Sequence, residues 1–122
     1  MKRDFELIRK LLFKIEKFPA SIQKDFNYNL NIYGYNKDTL NYHILLLVQA
    51  ELLNGIIHRS VINKHIEVIN ETLELTWAGH DFVDSIRNDT IWKKIKLKID
   101  KSNIPFEVIK ETLKILIQQS LK

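Results

Sequence analysis

The sequence contains no cysteine, and this absence excludes disulfides, thiolate zinc sites and cysteine nucleophiles. Glycine and proline are scarce, at three and two residues, and the 45% apolar composition is far from that of a disordered chain. No apolar run approaches the about 20 residues that span a bilayer. The start, Met1-Lys2-Arg3-Asp4, leads into an amphipathic pattern where a signal peptide would have an apolar core. The sequence therefore predicts a globular cytoplasmic protein with no membrane partner.

The charge is unevenly distributed along the 122 residues. Residues 1–17 carry six basic and three acidic side chains, residues 18–92 carry five and nine, and residues 93–122 carry eight and three. The abundance of Ile, Lys and Asn is typical of an AT-rich coding sequence, so part of the pI near 9.3 reflects genome composition. The basic ends and acidic middle are therefore more informative than the net charge of +4.

Two helices and a short strand are predicted in the first half of the chain. Apolar residues at helical spacing predict a first helix over residues 4–17, with Asp4 as its N-cap. From residue 26 to 35 the run FNYNLNIYGY alternates apolar or aromatic residues with Asn, which predicts a short, half-exposed strand. A second helix is predicted over about residues 37–53, with Asn54-Gly55 as its C-terminal stop.

A two-stranded ribbon is predicted next. Residues 56–62 and 66–75 are rich in β-branched residues and flank a turn at Asn63-Lys64-His65. Asn70-Glu71-Thr72 predicts a second bend within the ribbon. Thr76 is well placed as the N-cap of a following helix.

The remaining residues predict a broken helical segment and a final helix. The helix after Thr76 buries Phe82, Val83 and Ile86, and Asn88-Asp89-Thr90 interrupts it. Asp89 is predicted to cap a further helix, whose buried side consists of Ile91, Trp92, Ile95 and Ile99. Residues 100–103 are predicted as a loop, and Pro105 as the first residue of the last helix.

This element order predicts an α+β fold. It is that of a winged-helix-like domain with a helix, a short strand, a helix and a two-stranded wing, followed by additional C-terminal helices. The length predicts one domain over residues 1–122, with 89–122 as a helical extension. In such folds the helix before the ribbon is the expected reader of the DNA major groove.

The segment LTWAGHDFVDSIRNDTIW, residues 75–92, concentrates polar side chains. His80 and Asp84 are four residues apart and lie on one helix face, as paired metal ligands do. A zinc site needs three or four protein ligands, and a second histidine would have to come from elsewhere in the chain. The remaining histidines are His43, His58 and His65.

A structural interpretation of this segment is favoured. Thr76 caps the helix, Gly79 permits close packing, Trp77 and Phe82 pack in the core, and an ion-pair ladder forms on the rim. The predicted ladder consists of His80, Asp84 and Arg87. We therefore expect no metal, no cofactor and no catalytic residue, and a metal-dependent enzyme centred on His80 and Asp84 is the third hypothesis.

Three segments together resemble a known family. MKRDFELIRKLL, GYNKDTLNYHILLLVQAELL and LTWAGHDFVDSIRNDTIW are similar to the bacterial and phage family catalogued as domain of unknown function 2513. The resemblance implies a small cytosolic protein, often prophage-encoded, with no established activity. Its signature, to which we assign a structural role, comprises Thr76, Trp77, Gly79, His80, Asp81, Phe82, Asp84, Arg87 and Trp92.

One departure from the family pattern concerns the end of the second helix. The family usually has an Ala-Gly-Leu-Ile-like step there, whereas this chain has Ala50-Glu51-Leu52-Leu53 and a glycine only at Gly55. The resemblance therefore predicts a turn that is one to three residues longer than in the family.

Double-stranded DNA is the first predicted partner, in a transcription-regulator-like role. Lys37, Asn41 and Gln49 are predicted to contact the groove. Arg59 and Lys64 of the wing, with Lys93, Lys94 and Lys96 of the KKIKLK run, are predicted to contact the phosphates.

The alternative is a protein interaction module that uses the same fold without nucleic acid. The last helix is apolar over more of its circumference than one buried stripe needs, which predicts a homodimer through that helix. We expect no small-molecule ligand. A helix and wing that form one basic surface would favour DNA over a protein partner.

Overall fold

The computed structural model describes residues 1–102 and 104–121, which form five helices and a two-stranded antiparallel sheet. This composition confirms the predicted α+β, winged-helix-like arrangement. The elements are α1 Phe5–Glu16, α2 Lys37–Gln49, β1 Leu53–Arg59, β2 Ile66–Leu75, α3 Trp77–Ile86, α4 Asp89–Ser102 and α5 Phe106–Ser120.

The chain divides into two compact units, residues 1–80 and residues 81–122. The first holds α1, α2, the ribbon formed by β1 and β2, and the start of α3. The second holds the rest of α3 with α4 and α5. The prediction of one domain over residues 1–122, with 89–122 as an extension, stays a prediction.

Helix α1 begins where predicted. The side chain of Asp4 accepts a hydrogen bond from the Leu7 amide at 3.1 Å and so satisfies one of the free N–H groups of the first turn. Its apolar stripe is buried and consists of Leu7, Ile8, Leu11, Leu12 and Ile15. The helix packs against α2 and β2, and this stripe supplies much of the core of the first unit.

Helix α2 starts where predicted but ends earlier than predicted. The side chain of Asn36 accepts from the Thr39 amide at 2.9 Å. The helix ends at Gln49, because Glu51 takes a left-handed backbone conformation with φ of 63°. The amides of Glu51 and Leu52 bond back to the carbonyls of Val48 and Leu47, each at 3.0 Å. These two bonds form a Schellman turn.

Glu51 therefore stands where the family pattern has glycine, and it adopts the conformation that glycine usually provides. The predicted longer turn is wrong, since the chain turns at the family position without the glycine. Asn54-Gly55 does not stop the helix either, because both residues lie within β1.

The ribbon is confirmed, with its first strand three residues nearer the N-terminus than predicted. Leu53 pairs with Leu75 at its inner end and Arg59 pairs with Ile66 at its outer end. Between them the register shifts, so that residues 70–73 bulge opposite Gly55. The bend predicted at residues 70–72 is thus confirmed.

The Thr72 side chain holds the bulge, and Gly55 lies opposite it. The Thr72 hydroxyl accepts from the Ile56 amide at 2.8 Å and donates to the Ile69 carbonyl at 2.6 Å. A Cβ at position 55 would lie 2.5 Å from Cδ2 of Leu73. A side chain at this position would therefore require the end of the Leu73 side chain to shift.

The strand predicted at residues 26–35 is wrong, because none of these residues is in a strand. The side-chain oxygens of Asn27 and Asn29 accept from the amides of Asn29 and Asn31, at 2.9 and 2.7 Å. Such local bonds offer the backbone an alternative to a strand ladder. The alternating apolar residues fold inward instead: Leu30 is buried, and Tyr28 packs edge-on against Phe18 with ring centroids 5.0 Å apart.

In the second unit, α4 is capped by Asn88 and not by Asp89 as predicted. The Asn88 side chain accepts from the amides of Thr90 and Ile91 at 2.9 and 3.1 Å. The predicted buried side of α4 is confirmed in full, with Ile91, Trp92, Ile95 and Ile99. Burial of Phe82, Val83 and Ile86 in α3 is confirmed as well.

Two predictions near the C-terminus are wrong by a few residues. Helix α4 continues to Ser102, so residues 100–102 are helical, and Asn103 lies outside the described residues. Pro105 is the N-cap and not the first residue of α5, which packs on α4 through buried Ile109 and Leu113. Within residues 1–102 and 104–121, no helix has the length and apolarity that a bilayer crossing requires.

Candidate nucleic-acid interface

The outer end of the ribbon is a short loop held by its own hydrogen bonds. We call residues 59–65 the ribbon tip. The Ser60 amide donates to the His65 carbonyl and the Lys64 amide donates to the Ser60 carbonyl, both at 2.9 Å. The Asn63 side chain accepts from the His65 amide at 2.9 Å, and Lys64 has a φ of 60°. The backbone of the tip is therefore fixed without help from the core.

Two apolar side chains stand in solvent on this loop. Val61 is 98% exposed and Ile62 is 97% exposed. Single exposed apolar residues are ordinary on protein surfaces, but here two adjacent β-branched residues at a loop apex lie outside the core. The sequence pattern predicts a strand over residues 56–62, and in such a strand the alternation of side chains would bury one of the two residues.

The tip also carries positive charge. Arg59 and Lys64 are exposed, and the chain has no Asp or Glu between Glu51 and Glu67. The acidic residues of the ribbon lie in β2, at Glu67, Glu71 and Glu74. Strand β1 and the tip are therefore the cationic part of the ribbon.

Helix α2 places the three predicted groove contacts in different environments. Lys37 and Gln49 are exposed at opposite ends of the helix, about 18 Å apart along its axis. Asn41 is only 7% exposed, and its amide nitrogen donates to the Ile66 carbonyl at 3.1 Å. Asn41 thus joins the middle of α2 to the root of the ribbon tip. Nucleic-acid binding by these three residues stays a prediction.

The predicted lysines of the KKIKLK run lie in the second unit. Lys93 and Lys94 are exposed on α4, and Lys96 is half-buried. Leu97, between them, is largely exposed. The predicted cations are therefore shared between the two compact units, with Lys37, Arg59 and Lys64 in the first.

A polar groove lies beside α2 in the first unit. It has a volume of about 390 Å³, and its walls come from the 29–31 segment, α2 and β2. Four asparagines and one lysine give it most of its hydrogen-bonding groups, namely Asn29, Asn31, Asn41, Asn70 and Lys37. The sequence did not indicate this groove, because the 26–35 segment was predicted as a strand.

A buried histidine lies under this surface, and its hydrogen bonds assign it a structural role. Nε2 of His43 accepts from the Asp4 amide at 2.9 Å, and Nδ1 donates to the Thr39 carbonyl at 2.8 Å. Both ring nitrogens are therefore occupied in a neutral ring that joins α1 to α2. The Tyr35 hydroxyl adds a bond of 2.8 Å to the Asp4 carboxylate.

The Asp4 and Tyr35 pair has shifted acidities. Burial, followed by the hydrogen bond to Asp4, raises the pKa of Tyr35 to about 12. Burial also raises the pKa of Asp4, but hydrogen bonds from the Leu7 amide and the Tyr35 hydroxyl outweigh it, so that this pKa lies below its usual value. At neutral pH the ionised Asp4 carboxylate is therefore the acceptor and the neutral Tyr35 hydroxyl is the donor.

The start of the 75–92 segment has the structural roles predicted for it, except at Trp77. The Thr76 hydroxyl accepts from the Gly79 amide at 2.9 Å and donates to the Glu51 carbonyl at 2.6 Å. A Cβ at Gly79 would collide with the Leu52 carbonyl oxygen, so the glycine is required for close approach. Trp77 does not pack in the core, since it is 86% exposed.

The polar residues further along this segment form an exposed pair. Nη2 of Arg87 lies 3.0 Å from Oδ1 of Asp84, and both side chains are exposed. Such a pair contributes little to stability. His80 and Asp81 are also exposed. Within residues 1–102 and 104–121, no three His, Asp or Glu side chains are grouped to hold a metal ion.

Comparison with known proteins identifies the family. The family model described as "Hypothetical protein (DUF2513)" matches residues 2–105. The chain belongs to the DUF2513 family. A relative of this DUF2513 protein, described as an "Uncharacterized protein" of Haemophilus influenzae (strain ATCC 51907 / DSM 11121 / KW20 / Rd), is 32% identical over 126 residues and covers 99% of both chains. No solved structure matches the chain. The resemblance inferred from the sequence is thus confirmed.

Proposed function

We propose that this DUF2513 protein is a cytoplasmic DNA-binding module with a regulatory role, and not an enzyme. The observation that carries the proposal is the ribbon tip, where Arg59 and Lys64 flank two exposed apolar residues in a loop that contains no carboxylate. Phosphate contacts by such cations supply most of the sequence-independent affinity for duplex DNA. The winged-helix-like order supports the same conclusion by analogy of fold.

In this proposal α2 contacts DNA only at its two ends and does not read bases along its whole length. Lys37 and Gln49 contact DNA from the two ends of α2. Asn41 acts as a positioning residue, because its side-chain amide donates to the Ile66 carbonyl. This bond holds the outer end of the ribbon against the helix. The ribbon tip therefore provides the main contacts and α2 the secondary ones, with Lys93, Lys94 and Lys96 as further phosphate contacts.

Fluorescence anisotropy with a mixed-sequence duplex at low salt tests this proposal. We expect micromolar binding that weakens with salt, since each phosphate contact lowers the logarithmic salt slope by about 0.9. The double variant Arg59→Ala/Lys64→Ala should lose about tenfold in affinity and flatten that slope. Lys10→Ala/Lys24→Ala removes the same charge from exposed positions outside the ribbon tip and is the matched control.

Three outcomes of the anisotropy experiment support or reject the proposal. A loss confined to the tip variant supports the proposal. An absence of binding by the wild-type protein at micromolar concentration and low salt rejects it, because nonspecific binding should already be measurable there. Equal losses in both double variants would reject the assignment to the tip.

A second copy of the chain is the protein partner that we propose. Val108 and Ile115 lie seven residues apart on α5, on one stripe of the helix, and are 44% and 54% exposed. A two-fold dimer is the commonest way to cover such a stripe. The dimer would contain two ribbons, the number that two half-sites require.

Sedimentation equilibrium tests the dimer. The wild-type protein should sediment as a dimer, and Val108→Glu/Ile115→Glu should sediment as a monomer. Lys114→Glu changes the net charge by the same two units at an exposed position about 100° round the helix from Ile115, and it should leave the dimer intact. A wild-type protein that is monomeric at about 100 μM, a concentration near the weak end of specific association, would reject the dimer.

A further inference from the structure

We infer that Val61 and Ile62 act as an apolar wedge that enters the DNA minor groove and partly unstacks one base step. The inference rests on the proposed DNA binding and names its mode. Proteins that kink DNA from the minor groove insert aliphatic or aromatic side chains between bases while basic residues hold the phosphates. The ribbon tip combines these two elements within seven residues, 59–65.

The shape of the tip suits a wedge. Val and Ile are stiff at χ1, and their backbone is fixed by the bonds that join Ser60 to Lys64 and His65. Less conformational entropy is lost when such side chains insert than with long unbranched ones, because a β-branched side chain has few χ1 rotamers to lose. The exposure of 98% and 97% leaves both side chains free to insert.

The dimensions of the tip also agree with the minor groove. Paired strands lie about 4.8 Å apart, and the minor groove is about 6 Å wide. Two paired backbones with their own thickness are too wide for this groove, whereas side chains that project from the apex can enter it. Arg59 and Lys64 stand on opposite sides of the apex, so each can contact one of the two chains.

The composition of the tip favours DNA over a membrane surface as the occupant. Side chains that anchor proteins at a bilayer interface are enriched in Trp and Tyr. The ribbon tip has no aromatic residue of that kind, and its apolar part is limited to two aliphatic side chains. The same two side chains are sufficient for a wedge at one base step.

A wedge of this kind predicts a sequence preference. Pyrimidine–purine steps such as TA unstack more easily than other steps, and A·T pairs lack the guanine amino group in the minor groove. We therefore expect tighter binding to a duplex with a central TA step in an A·T context than to one of the same length with a central GC step.

The experiment uses the full chain and two such duplexes. The base analogue aminopurine is placed beside the central step, and a donor and an acceptor dye are placed at the duplex ends. Wild-type protein should raise aminopurine fluorescence and shorten the distance between the dyes on the TA duplex. Val61→Ser/Ile62→Ser should abolish both signals and keep the salt slope of binding, since the phosphate contacts remain.

The conservative variant Val61→Leu/Ile62→Leu is the matched control, and it should retain both signals. All four substitutions lie at nearly fully exposed positions, so urea unfolding should be unchanged. Binding by wild-type protein without either signal overturns the wedge and leaves the proposed function intact. Absence of DNA binding rejects both.

Two further outcomes count against the wedge. Retention of both signals by the serine variant would show that another element kinks the DNA. Binding of wild-type protein to phosphatidylserine vesicles, lost in the serine variant while DNA binding stays unchanged, would assign the apolar tip to a membrane surface.

Discussion

The inner end of the ribbon is tied to two helices, whereas the ribbon tip is tied to itself. At the inner end, the Leu52 carbonyl accepts from the Thr76 amide at 3.1 Å, and the Thr76 hydroxyl reaches the Glu51 carbonyl. At the tip, the hydrogen bonds of residues 60–65 close within the loop. Substitution at the inner end should therefore affect mainly folding, and substitution at the tip should affect mainly binding.

The largest effect is expected from a substitution at the inner end of the ribbon. Gly79→Ala places a Cβ against the Leu52 carbonyl oxygen, so that α3 must move away from the turn after α2. We expect a loss of about 3 kcal/mol in the free energy of unfolding, at the upper end of overpacking costs. Urea denaturation followed by circular dichroism measures it. Ala78→Ser, at an exposed neighbouring position, is the control, and an equal loss there would contradict the explanation.

Removal of the cap at the same end should have a smaller effect. Thr76→Ala deletes the hydroxyl that accepts from the Gly79 amide and donates to the Glu51 carbonyl. We expect a loss of about 1 to 2 kcal/mol in urea denaturation. Ser60→Ala deletes a tip hydroxyl whose bond to the Asn63 amide is 3.4 Å long, and it should cost much less.

The third prediction compares one residue at each end. Glu51 and Lys64 both have positive φ, at 63° and 60°, where glycine is favoured by about 1 kcal/mol or more. After the entropy cost of glycine in the unfolded chain, Glu51→Gly and Lys64→Gly should each stabilise the protein by about 0.5 kcal/mol. Only Lys64→Gly should also weaken DNA binding. Destabilisation by Glu51→Gly would show that its side chain has a structural role.

The last prediction appears only at alkaline pH and concerns the two helices that support the ribbon. The pKa of Tyr35 is raised to about 12 in the folded protein, above its unfolded value near 10. Its contribution to stability is therefore complete below pH 10 and is lost as the pH rises toward 12. Tyr35→Phe should reduce this alkaline loss in urea denaturation. Tyr33→Phe, at a fully exposed tyrosine, should leave it unchanged.

The caps and apolar stripes of the helices were predictable because their signals are local. Asp4, Asn36 and Thr76 each place a side-chain oxygen three residues before an amide that needs an acceptor. Burial along α4 followed from the spacing of its isoleucines and Trp92. These features require no knowledge of the rest of the chain.

The errors arose where two local signals compete. Alternation in residues 26–35 predicted a strand, but the Asn side chains bond to their own backbone. Glycine at position 55 predicted a helix stop, but Glu51 takes the left-handed conformation first. The outcome depends on tertiary contacts that each segment makes, and a single sequence does not display them.

The candidate site was predictable in its charges but not in its shape. Arg59 and Lys64 were identified from the sequence, and both are exposed at the ribbon tip. The exposure of Val61 and Ile62 was missed, since β-branched residues beside a turn are typical of strands. Trp77 was missed for a similar reason, because a tryptophan at a helix start is usually expected to pack.

The hydrogen bonds of residues 60–65 are made within the loop, so the loop can be transferred to another hairpin. The Ser60 amide and the His65 carbonyl close it, so the six residues can replace the loop of another hairpin without changing that host's core. Exchange of this loop should therefore change the surface at the end of the ribbon while the helices stay as they are. A host hairpin that received this loop would report on recognition alone, separate from the folding of its parent.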